Sequence, residues 1–170
     1  MNLKQEILKE HSKTQCNKIV NWVGNNQQRF DELIELFLHD EYRVTQRAAW
    51  PVSNCVIANH FLINKHWKKL IDNLRKPDIH NAIKRNTVRF LQYIQIPKKQ
   101  RGPIMDICFG FLESPTEPLA VKVFSMQVLY NLSLIYPEIK PELKLLIEEQ
   151  FLNQTAGFKS RAKKILSAFN

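Results

Sequence analysis

The chain has 170 residues, 44% of them hydrophobic and 24% charged, which suits a globular domain with a sizeable core. Only four glycines argue against an all-β fold, and no apolar run reaches the ~18 residues that span a bilayer. The net charge of +9 is concentrated: residues 63–102 hold eleven Lys or Arg against Asp72 and Asp78, and the rest of the chain balances.

The first segment, residues 3–23, reads as one or two helices stopped at Gly24-Asn25-Asn26. It is more polar than the later segments and suits an N-terminal cap over residues 1–26. The opening residues are polar and mixed in charge, unlike a secretory leader, so residence in the cytoplasm is expected. A first helical pair covers residues 27–61. Phe30, Leu33, Ile34, Phe37 and Leu38 form an amphipathic stripe, and a second helix starts near Tyr42. Pro51 lies inside that second helix and predicts a kink or restart.

The second pair, within 62–96, is expected as helices 62–75 and 78–95, with Asp78 as N-cap after Lys76-Pro77. The third, within 97–137, is expected as 101–112 and 116–136, leaving Lys98, Lys99 and Arg101 at the loop. Its second helix is apolar on most sides and belongs at the centre of the domain. The fourth, within 138–170, is expected as 139–152 and 155–169.

One basic residue recurs through these pairs. Arg47, Arg85, Lys122 and Arg161 are 38, 37 and 39 positions apart, each early in the second helix of its pair. A period of this size marks a helical-pair repeat, in which each unit buries its apolar face on its neighbours. Aligned on that residue, the units read LHDEYRVTQRAAW, LRKPDIHNAIKRNTV, LESPTEPLAVKVF and LNQTAGFKSRAKKI. This resembles the HEAT and armadillo class of helical repeats. The resemblance implies a single all-α domain: a short right-handed α-α superhelix of about four antiparallel helical pairs behind an N-terminal capping helix. It also implies a ladder between the turn Asp and the basic residue of neighbouring units. Asp40 and Asp78 stand seven positions before Arg47 and Arg85, but Pro115 and Gln154 take that place in the last two units, so the ladder would be half formed at best.

Chemistry-bearing motifs are scarce. The chain contains no Gly-rich phosphate loop, GxSxG, HExxH or EF-hand loop. Its five histidines have no metal-ligand spacing, and Cys16, Cys55 and Cys108 are far apart among apolar residues, as reduced core thiols would be. No metal and no cofactor is expected, and no residue argues for catalysis, though an enzyme stays open.

The basic tract carries the functional content. Lys65, Lys68 and Lys69 cluster on one helix, with Trp67 read as core; Lys84, Arg85 and Arg89 cluster on the next; Lys98, Lys99 and Arg101 follow. They could simply solvate an outer face, dock an acidic protein surface, or neutralise nucleic-acid phosphates. The leading expectation is a non-enzymatic binding or scaffold protein whose partner is another protein with an acidic surface. The alternative is a nucleic-acid-binding or DNA-repair protein of the HEAT-like alkylpurine DNA glycosylase type, with Trp50, Trp67 and Tyr93 near the bases. No membrane association is expected.

Overall fold

The computed structural model describes residues 1–170 as ten α-helices and two short 3₁₀ turns, with no strand. The helices are α1 (Leu3–Lys9), α2 (Lys13–Val23), α3 (Gln27–His39), α4 (Tyr42–Ala58), α5 (Trp67–Leu74), α6 (Asn81–Leu91), α7 (Lys98–Glu113), α8 (Leu119–Ser133), α9 (Lys140–Phe151) and α10 (Ala156–Phe169). They group into two compact units, residues 1–94 and 95–170.

In the first unit, local chemistry sets the helix ends. Asn2, Ser12 and Asn26 each accept a hydrogen bond from the backbone N–H three residues on, which caps α1, α2 and α3. Gly24, at φ 52°, closes α2 and donates its N–H to the Val20 carbonyl at 2.8 Å. The α4 helix is the hub of the unit, packing against α1, α2, α3 and α6. It buries Val44, Ala48, Ala49, Val52, Cys55 and Val56. It also runs through Pro51 without restarting. That proline is buried, and its missing N–H is tolerated because tertiary packing holds the helix on several sides.

Two expectations fail in the second pair. The first helix is shorter than 62–75: a 3₁₀ turn at His60–Ile63 precedes α5, which begins at Trp67. Asp78 does not cap the second helix; it sits in the turn at φ 46°, the one non-glycine residue with positive φ. The cap passes to His80, whose Nδ1 accepts from the Ala82 N–H at 2.9 Å, and α6 spans Asn81–Leu91 instead of 78–95. Burial lowers the pKa of His80, which favours the neutral ring that can accept this bond.

In the second unit, α8 packs against α7, α9 and α10. Val121, Met126, Val128, Leu129 and Leu132 are buried around it, together with Lys122, Ser125 and Ser133. This helix is apolar on most sides, as the sequence predicts, and is the hub of this unit. All three cysteines are buried, and burial pushes Cys16 up to about 11 and Cys55 and Cys108 up to about 12.

Polar contacts between neighbouring pairs recur at one repeat length. In the first unit, Arg47 donates to the Leu8 carbonyl at 2.6 Å, Asn59 to the Gly24 carbonyl at 3.0 Å, and Arg89 to Asn54 Oδ1 at 2.9 Å. In the second, Gln150 donates to the Leu112 carbonyl at 2.9 Å and Arg161 to Gln127 Oε1 at 2.9 Å. These partners are 34 to 39 positions apart, the interval of the sequence period.

The turn-aspartate ladder is not what links the pairs. Asp40 pairs with Lys4 at 2.8 Å and also accepts from the Glu41 N–H, and these contacts hold its carboxyl below its ordinary value. Asp78 is turned away in its left-handed turn, and Arg85 is exposed with no ion pair. For the arginines that cross between pairs, carbonyl and amide oxygens replace carboxylates as acceptors.

A carboxylate does organise the N-terminal cap. Glu6 accepts from Lys18 at 2.7 Å, from Lys9, and from Gln15 at 3.0 Å, which lowers its pKa from 4.5 to about 2. A depressed folded-state pKa gives a contribution that is complete above pH 4.5 and is lost as pH falls from there toward 2. Thermal melts between pH 6 and pH 2.5 should therefore show a smaller acid-side loss of stability for Glu6→Gln than for the wild type, with α1 and α2 responsible.

Candidate interaction surface

The nine predicted basic residues divide by helix. At the start of α5 and just before it, Lys65, Lys68 and Lys69 are exposed, and each has an acidic neighbour. Lys65 lies 3.8 Å from Asp31, Lys68 lies 2.5 Å from Asp72, and Lys69 pairs with Glu35. Asp31 and Glu35 belong to α3, so two of these three lysines attach to the first helix of the preceding pair. His66, buried beside them, meets Asp31 at 2.6 Å. Burial pushes Asp31 upward, but the Gln27 amide and His66 outweigh it and hold the carboxyl below its ordinary value.

On α6 one base, Arg89, reaches α4, the second helix of the preceding pair. Arg89 is half-buried and donates to Ser53 Oγ at 2.8 Å and Asn54 Oδ1 at 2.9 Å. Lys84 is half-buried, and Arg85 is exposed. Arg89, four positions beyond the periodic Arg85, therefore makes the inter-pair bond in this unit.

In the second unit, Lys98, Lys99 and Arg101 are not in a loop. They form the first turn of α7, behind Pro97, which offers no side-chain cap. Lys98 and Lys99 are exposed without partners; Arg101 is half-buried and donates to the Ile96 carbonyl at 2.9 Å. Cations at a helix N-terminus oppose the macrodipole, so this turn is an electropositive spot.

Further exposed bases without partners stand in the first unit: Arg43 at the start of α4, and Arg75 and Lys76 after α5. The acids that pair with two of the three lysines around α5 stand one repeat back. An acid lies 34 residues before Lys65 and Lys69, whereas Pro51 lies 34 before Arg85. The offset is no general rule, since Glu41 lies 34 before the unpaired Arg75 and Lys68 finds Asp72 on its own helix.

The aromatics also divide. Trp67 is 5% exposed and belongs to the core, Trp50 is half-buried against the His11 edge, and Tyr93 is 59% exposed. Tyr42, 70% exposed, lies over His80 with ring centroids 4.1 Å apart. No three His, Cys, Asp or Glu side chains gather closely enough to hold a metal ion, and no helix is long and apolar enough to cross a membrane.

The inter-pair contacts at a fixed interval are the architecture of stacked helical repeats. The family model described as HEAT repeat domain matches residues 3–169. The chain belongs to that family. No curated protein and no solved structure matched the chain. HEAT repeats form a helical scaffold for protein interaction, and that class of fold is what this chain presents.

Within these HEAT repeats, Arg89 and Arg85 should behave differently on truncation. Removing Arg89 leaves buried Ser53 without its partner, so Arg89→Ala should cost about 1–3 kcal/mol in urea denaturation. The exposed Arg85→Ala should stay within about 0.5 kcal/mol of wild type.

Proposed function

We propose that this HEAT repeat protein is a non-enzymatic docking module that binds an acidic segment of a partner protein through its basic helices. The observation that carries the reading is the set of exposed cations in the first unit that no internal acid neutralises, Arg43, Arg75, Lys76 and Arg85. Lys65, Lys68 and Lys69 join them. Their pairs with Asp31, Asp72 and Glu35 are at the surface, and exposed ion pairs are worth only about 0–1 kcal/mol. A partner carboxylate can therefore take a lysine from its internal acid at little cost. Lys84 and Arg89 are half-buried, and Arg89 holds α6 to α4. In the second unit, Lys98, Lys99 and Arg101 offer a separate cationic turn. The interleaved acids favour a protein partner over a uniform polyanion, because they repel phosphates placed at random and reward a matched pattern.

A second reading, a nucleic-acid-binding or DNA-repair protein of the HEAT-like glycosylase type, draws on the exposure of Tyr42 and Tyr93. Exposed rings beside unpaired bases suit stacking on single-stranded nucleic acid.

Fluorescence anisotropy separates the two. The probes are a labelled peptide whose glutamates are spaced among neutral residues, a short DNA duplex and a single-stranded RNA, each at low and near-physiological salt. The docking reading predicts that the peptide binds and that Lys68→Glu/Lys69→Glu and Arg85→Glu each weaken it about tenfold or more. Peptide binding unchanged by both variants contradicts it. Nucleic-acid affinity that survives near-physiological salt would favour the second reading.

A further inference from the structure

We propose that α9 and α10 form a two-fold interface with a second copy of this chain. These two helices make a hairpin whose inner side is spent on the core. Leu143 and Ile147 of α9, and Phe158, Ala162 and Ile165 of α10, are all buried. The outer side carries apolar surface with nothing on it. Leu152 is 82% exposed, the highest value of any large hydrophobic residue in the chain, and Leu145, seven positions earlier on the same face, is 55% exposed. Leu152 stands on the wall of an open groove of about 490 Å³, with Phe151 and Leu166 also in its apolar lining.

The rim of the groove names the occupant. One wall, from α9, presents Glu148, whose only partner is Lys144 at a long 3.9 Å. The other, from α10, presents Lys163, exposed and unpaired. Along α10 stand Lys159, Arg161, Lys163 and Lys164 with no acid, while α9 holds Glu142, Glu148 and Glu149 against Lys140 and Lys144. An acidic helix from another protein would satisfy Lys163 and strand Glu148; a basic one would do the reverse. A second copy turned about a two-fold axis satisfies both, because α9 of each protomer meets α10 of the other. Glu148 then faces Lys163 twice over. The same operation places each Leu152 as a knob at the other copy's groove. A knob and a hole on one face are what an isologous contact requires.

Sedimentation velocity from about 1 to about 100 μM tests this. The wild type should pass from a 20.1 kDa monomer to twice that mass. Leu152→Asp, a change at an exposed position that leaves the helical circular dichroism spectrum intact, should raise the dissociation constant at least about tenfold. Glu148→Lys and Lys163→Glu should each weaken association, and the two combined in one chain should restore it. A wild type that stays monomeric throughout overturns the proposal. So does a dimer indifferent to Leu152→Asp, or a combined charge reversal that stays dissociated.

Discussion

Side-chain hydrogen bonds that reach one repeat back are the contacts on which the rest of this structure depends. Each helical pair exposes an apolar face that it cannot bury alone, and the hydrophobic effect that covers it has no direction. Direction comes from polar side chains that span the seam. Arg89 fixes α6 to α4, and Arg47 fixes α4 to the end of α1. In the second unit, Arg161 fixes α10 to α8, and Lys122 reaches Gln150 from a position only 5% exposed. Burial lowers the pKa of Lys122, with Glu117 offsetting part of that. Such bonds set register because a slip of one residue would leave a buried acceptor unpaired, and an unpaired buried group costs more than a made bond returns.

That division of labour explains the surface. Bases that hold the seams are half-buried and unavailable to a partner, while bases of the same sequence type a turn away face solvent. Arg85 and Arg89 lie on one helix four positions apart, yet one is exposed and the other links two helices. The net charge of +9 therefore overstates the surface that can recruit a ligand. Salt bridges around α5 reduce it further. The remainder is a surface on which bases stand beside acids.

Much of the fold was legible because the hydrophobic period is strong. The stripe from Phe30 to Leu38 and the apolar α8 both appear where the sequence puts them. The recurring base pointed to the right interval, but not always to the right residue. In the second pair the seam passed from Arg85 to Arg89, because the partner is an amide one repeat back and not a turn aspartate. Asp78 was misread for a local reason. Its positive φ puts it in the turn, and His80 then takes the cap with a ring nitrogen. Lys98 and Lys99 start a helix although three cations there oppose the dipole, a local cost that the packing of α7 on α8 overrides. Which bases are paired could not be read from local spacing, since Lys65 and Lys69 find their acids 34 residues away.

The most direct test of the seam is a double-mutant cycle between Arg89 and Asn54, read by urea denaturation of Arg89→Ala, Asn54→Ala and the double variant. A bond that holds α6 to α4 predicts a coupling free energy of about 1 kcal/mol or more. Effects that add to within about 0.3 kcal/mol would contradict it, and would leave apolar packing alone to set the register of the repeats.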